Sequence, residues 1–179
     1  MIDFDTFDTI FPDRPDLYDL LVTKPRTPEE LIRDYLPSKL WRLNNLYYIV
    51  DKHGNNIKFK MRFAQLKVHA ERAKHPRCLI LKSRQQGIST YFLVDYFDDA
   101  LFIPNTNCGL MAQDSASAKT LLERVKHLWD NMDPDILSIL NLSKGKDNTS
   151  EITFSNGSNM YVRTSFRSAT LHRLHVSEW

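Results

Sequence analysis

The segment LKSRQQGIST, Leu81 to Thr90, sets a glycine, two amides, three hydroxyls, a lysine and an arginine between an apolar run, CLIL, and a helical pattern. A strand, a tight loop and a helix N-terminus bring several backbone N–H groups and the positive end of a helix dipole to one point, which suits a phosphate. Gly87 lets the backbone come close. Phosphate oxygens also need a cation, and Lys82 and Arg84 lie within the same turn. Arg84 is the better candidate, because its planar fork bridges two oxygens. The same residues fit an ordinary strand-to-helix connection in which polar groups cap the helix.

Aligning Gly87 with the second glycine of G-x-x-x-x-G-K-[ST] puts Lys82 at the first glycine, Ile88 at the lysine and Ser89 at the magnesium-binding hydroxyl. The strict motif fails twice. About ninety residues on, TLHRLHVSEW reads as an apolar strand closing on Glu178. In P-loop ATPases a strand of this kind ends in an acid that holds magnesium, followed by a glutamate that orients or deprotonates the attacking water. Glu178 fits the second role. The first falls to Ser177, which reaches a magnesium-bound water without adding charge. A strand-terminal glutamate taken alone is more often a solvated surface residue. His172 and His175 lack a nearby cysteine or carboxylate cluster and are read as core or surface histidines.

The elements that must position these residues follow from periodicity. From Arg77 the pattern runs strand, helix, strand, helix: CLILKS, then Ser89 to Leu101, then NCGLMAQ, then Ser115 to Met132. Phe92, Leu93, Tyr96, Phe97, Ala100 and Leu101 share one helical face, as do Ala118, Leu121, Leu122, Val125, Leu128 and Trp129. This alternation predicts an α/β fold with a mainly parallel sheet and crossover helices. SEITFSNGSNMYVRTS alternates at period two around Asn156-Gly157 and predicts a hairpin, as does NLYYIVDKHGNNIKFKM around Gly54-Asn55-Asn56. A helix carrying Phe63, Leu66 and Ala70 follows the latter. Upstream, Pro28 opens a helix that Pro37 stops, with Leu31, Ile32, Tyr35 and Leu36 on one face. Residues Met1 to Thr27 read as an irregular arm packing through Phe4, Phe7, Ile10 and Phe11.

Composition narrows the class. A chain of 179 residues, 42% hydrophobic and 26% charged, can bury a sizeable core. Its apolar runs are short and its N-terminus is acidic, so neither a membrane span nor a signal peptide is indicated, and a cytoplasmic protein is expected. Cys78 and Cys108 sit in strand-like apolar settings without paired spacing, so buried thiols are expected rather than a disulfide or zinc site. A formal net charge of +2 is too mild to argue for nucleic acid.

Several of these motifs, in this order, resemble the large terminase subunits of tailed bacteriophages and prophages, the motors that package DNA into proheads. LKSRQQGIST is similar to that family's deviant phosphate loop, with an arginine-glutamine pair before the glycine and Ser-Thr after it. TLHRLHVSEW is similar to its second motif, and Gln65 in FKMRFAQLKVHAE to its adenine-contacting glutamine, whose amide both donates and accepts. The match covers roughly Trp41 to Trp179. It implies a RecA-like P-loop three-layer sandwich over residues 41–179, behind an N-terminal arm and helix over residues 1–40. It implies ATP and Mg²⁺ as cofactors, and Gln65, Lys82, Ser83, Arg84, Gln85, Gln86, Gly87, Ile88, Ser89 and Thr90 around the nucleotide. Ser89 and Ser177 fall on the metal, and Glu178 on the attacking water. Arg163 and Arg167 precede the last strand, where the family places an arginine finger, and Arg167 matches better. Against that, Ser168-Ala169 stand where the family often has glycines, and a plain surface arginine also fits. The implied partners are double-stranded DNA, the portal protein, the small terminase subunit and further copies in a ring, in the host cytoplasm. The family's RNase H-like nuclease has no counterpart after Trp179, so a truncated motor is expected. Another P-loop DNA-dependent ATPase, helicase-like or recombinase-like, and an inactive terminase remnant are the alternatives.

Overall fold

A helical phase of 3.6 residues from Ile88 and short alternating segments from Asn107 organise the computed structural model, which describes every residue except 1, 2, 13, 76, 82–85, 168, 169, 178 and 179. The chain divides into two compact units, Met1–Asn45 with Phe59–Tyr91, and Leu46–Lys58 with Phe92–Trp179.

The first unit is helical. Two short helices, α1 (Phe4–Ile10) and α2 (Pro15–Val22), occupy the stretch expected to be irregular. Asp3 caps α1 by accepting from Thr6 N–H at 2.8 Å, and Pro15 opens α2 at its first position, where a missing N–H costs nothing. Phe7 is fully buried as expected, against Phe11 and Tyr18. Helix α3 (Pro28–Glu30) is capped by Thr27 and runs on as a π-helical turn, Leu31–Tyr35. That turn buries Tyr35 and Leu36 but leaves Ile32 exposed.

A further helix, α4 (Lys39–Asn45), follows, and α5 (Phe63–Lys74) is joined to it through Asn44, whose Oδ1 accepts from Met61 N–H at 2.9 Å. The strand expected from Cys78 is not formed by residues 78–81. Leu79 and Leu81 are 82% and 90% exposed, and Cys78 is exposed too, so its expected burial is corrected. Apolar composition supplies strand propensity, but only ladder partners and a covered face make a strand, and no strand of the sheet pairs with these residues.

Helix α6 (Ile88–Phe102) gives its first turn to this unit and the rest to the second. The second unit opens with a hairpin, β1 (Tyr48–Val50) and β2 (Asn56–Lys58), turned by Gly54 at φ +84° and by Asp51, whose Oδ1 accepts from His53 and Asn55 N–H. Its sheet holds β3 (Asn107–Met111), β4 (Lys144–Asp147), β5 (Glu151–Phe154), β6 (Asn159–Arg163) and β7 (Arg173–Val176) in the order β4-β5-β6-β3-β7. Helices α7 (Ser115–Asp130) and α8 (Pro134–Ile139) link β3 to β4.

The sheet is mixed rather than mainly parallel. β3 runs parallel to β6 and β7, whereas β4-β5 and β5-β6 are antiparallel. Tight turns force this, since parallel neighbours need a long crossover. The β5-β6 turn is the expected one, with Gly157 at φ +81°. Cys108, Leu110, Ile152, Phe154, Met160 and Val162 alternate onto one buried face. Phe97 of α6 and Trp129 of α7 both pack on Phe154 there, at 5.9 and 5.3 Å between ring centroids. Helix α6 is buried on all sides from Tyr91 to Leu101, carboxylates included. Asp98 accepts from Tyr47 Oη at 2.6 Å, and Asp99 meets Arg173 Nε at 3.0 Å.

Charge holds the β4 edge. Asp147 pairs with Lys126 at 2.6 Å and Lys144 at 2.9 Å, and Glu151 pairs with Lys146 and with Arg163 at 3.3 Å. Hydrogen bonds from Lys126, then Lys144, hold Asp147 below its ordinary 3.8, and Lys146 does the same for Glu151 below 4.5. A depressed carboxylate pKa contributes stability above the unfolded-state value and loses it as pH falls through the folded value. Thermal midpoints should therefore hold near neutrality and begin to fall below about pH 4.5. In Asp147→Asn the neutral midpoint should be lower and the acid fall shallower. An unchanged acid limb would remove Asp147 from this account.

Candidate functional site

Gly87 stands at the N-terminus of the 15-residue helix α6 with φ +69°, a left-handed conformation that a side chain strains. Its carbonyl accepts the first helical bond from Tyr91 N–H at 2.9 Å. The N–H groups of residues 88–90 belong to the first turn, which has no intrahelical acceptors for them. Ser89 and Thr90 are half-buried and Gln86 is exposed. Ile88, which alignment to the phosphate-loop motif sets opposite its lysine, is only 3% exposed. Its side chain is part of the core, where an ammonium would lose its water, which is the physical reason for an apolar residue here.

Helix α5 serves this turn with one face. Gln65, His69 and Arg72 recur at i, i+4 and i+7. Gln65 Nε2 donates to Gly87 O at 2.8 Å, and its Oε1 accepts from Arg62 N–H at 2.8 Å. Tyr91 Oη lies 3.0 Å from His69 Nδ1 and accepts from Arg72 at 3.0 Å, with the guanidinium 5.9 Å from the ring centroid. Gln65 is picked out in the sequence by its motif, whereas no motif picks out His69, Arg72 or Tyr91. The helical spacing of polar residues on α5 was the available signal.

The second group of predicted residues belongs to the sheet. Ser177 continues β7 past Val176, its N–H donating to Met111 O at 3.0 Å at the carboxyl end of β3. Ala112 N–H donates likewise to Arg163 O at 3.0 Å. Arg163 is engaged by Glu151 and lies over the Tyr161 ring at 5.0 Å, whereas Arg167 is exposed, with no ion-pair partner among the described residues. Arg163 also lines an open groove of about 670 Å³ with Lys119, Lys126, Ser150 and Thr164. His172 Nδ1 accepts from Asn107 N–H at 2.9 Å and His175 stacks on Phe92 at 4.2 Å, both structural positions. Among the described residues no group of three His, Cys, Asp or Glu could hold a metal. No described helix is long and apolar enough to cross a membrane.

The structure thus brings Gln65, Gly87, Ile88, Ser89 and Thr90 together in one unit and carries Ser177 and Arg167 in the other. Lys82, Ser83, Arg84, Gln85 and Glu178 lie outside the described residues. No protein-family model matches the chain, and neither does any curated protein.

Proposed function

We propose that the chain is the ATP-binding and hydrolysing part of a phage-type DNA-packaging motor, built on a P-loop fold of the RecA-like, three-layer kind. The observation that carries this reading is the left-handed glycine at the head of a long helix, tied to a glutamine that precedes the loop in sequence. Loop amides, Lys82 and Arg84 take the phosphates, with charge from Arg84 in place of the absent lysine. The hydroxyls of Ser89 and Ser177 would hold Mg²⁺, which when bound neutralises charge between the β- and γ-phosphates. Glu178 receives the proton of the attacking water, and Arg167 is offered to the active site of a neighbouring copy. Double-stranded DNA is the substrate moved, with the portal protein and the small terminase subunit as partners in a homo-oligomeric ring in the bacterial cytoplasm.

Equilibrium titration of the chain with fluorescent ATP and Mg²⁺ tests the reading. Saturable binding, competed by unlabelled ATP and lost on chelation of the ion, is the expected result. A flat titration would overturn it. DNA-stimulated hydrolysis accompanied by strand separation would assign a helicase-like motor instead.

A further inference from the structure

We propose that Gln65 fixes the Gly87 peptide at the head of α6 and does not read the nucleotide base, an inference that rests on the reading of this turn as part of a triphosphate site. Base reading at an adenine edge needs one amide N–H and one oxygen lone pair that reach the base. Both ends of the Gln65 amide already have backbone partners, Arg62 N–H on the oxygen and Gly87 O on the nitrogen, each at 2.8 Å. The residue is 3% exposed, so its remaining hydrogen-bonding capacity is turned away from solvent. Contact with a base through the second N–H and the second lone pair would require the packing around this buried side chain to open.

The link to Gly87 is specific. With Tyr91 N–H and Gln65 Nε2 both donating, the Gly87 carbonyl has its two lone pairs filled. The peptide plane joining Gly87 to Ile88 is thereby fixed, and with it the direction of the Ile88 N–H at the head of α6. A Cβ at position 87 would come within 2.8 Å of Gln65 Nε2, so glycine and glutamine are matched to one another in space. The oxygen side of the same amide caps α5, which couples the loop to the start of that helix.

Gln65→Glu separates the two functions. Its carboxylate still accepts from Arg62 N–H but has no proton for Gly87 O. Dissociation constants for Mg-ATP and for Mg-tripolyphosphate, which has no base, are measured on parent and variant well below their melting temperatures. The expected result is a loss on the order of ten-fold for both ligands, with their ratio unchanged. Gly87→Ala, which displaces the amide while leaving Gln65 intact, should reproduce that equal loss and serves if Gln65→Glu folds poorly. Loss confined to ATP, no loss on either ligand, or a parent that binds ATP but not the triphosphate would each overturn the proposal. A parent that binds neither ligand would overturn the nucleotide reading itself.

Discussion

Gly87→Ala is expected to destabilise the chain by roughly 2–3 kcal/mol. A left-handed backbone at a residue bearing Cβ costs about 1–2 kcal/mol, and φ at this position is +69°. The added methyl also displaces Gln65 Nε2 from its contact, forfeiting a hydrogen bond worth roughly 0.5–1.5 kcal/mol. For a chain of this size the midpoint of thermal unfolding should fall by about 4–12 °C. Gly54→Ala is the internal comparison. Gly54 has φ +84°, yet a Cβ there meets nothing within 4 Å, so it carries the backbone strain alone. The difference between the two variants measures the Gln65 link, and equal losses would show that the link contributes no stability.

Much of this fold is legible because its signals are long or chemically special. Helices α6 and α7 carry apolar residues at helical spacing over 15 and 16 residues, enough for the period to stand out. Both hairpins announce themselves through Gly54 and Gly157, which supply the positive φ that their turns need. Helices α1, α2, α4 and α8 span six to eight residues, where two turns give period and chance equal weight. Strand β4 reads KGKD, with no apolar alternation, and is held by pairing to β5 and by Lys126 and Lys144 around Asp147. Such a strand is written in its partners.

The segment at Cys78 shows the opposite failure. CLIL has the composition of a core strand, but composition does not encode whether a neighbour is present, and Leu79 and Leu81 stand exposed. At the site, sequence alone presents Ile88 as a missing lysine. Its burial makes it a packing residue, a property that depends on what surrounds it in the fold and that no spacing rule reports. The pairing of Gln65 with Gly87 is partly legible. Helical phase puts Gln65, His69 and Arg72 on one face, but which turn that face meets is decided by tertiary packing.

On the proposed motor reading, Glu178→Gln should lower ATP hydrolysis by about 10²–10⁴-fold while leaving Mg-ATP affinity within a factor of about two, the range general-base removal gives when binding is untouched. Glu178 follows Ser177, whose N–H extends the ladder of β7 onto Met111 O at the carboxyl end of β3. Open α/β sheets commonly bind their ligands outside the carboxyl ends of their parallel strands, which is why the proposed motor reading gives the proton of the attacking water to the acid that follows Ser177 in sequence. Glutamine keeps the size and one acceptor oxygen of glutamate, so it still orients water but takes no proton. The split between rate and binding is therefore the diagnostic. A structural role would lower both together through the folded fraction, and a purely metal-binding role would raise the dissociation constant for Mg-ATP. Ser177→Ala provides the contrast, with magnesium dependence shifted to higher concentration and the rate at saturating ion nearly unchanged. Single-turnover hydrolysis with parent, Glu178→Gln and Ser177→Ala decides the matter, and equal rates in parent and Glu178→Gln would remove Glu178 from the mechanism.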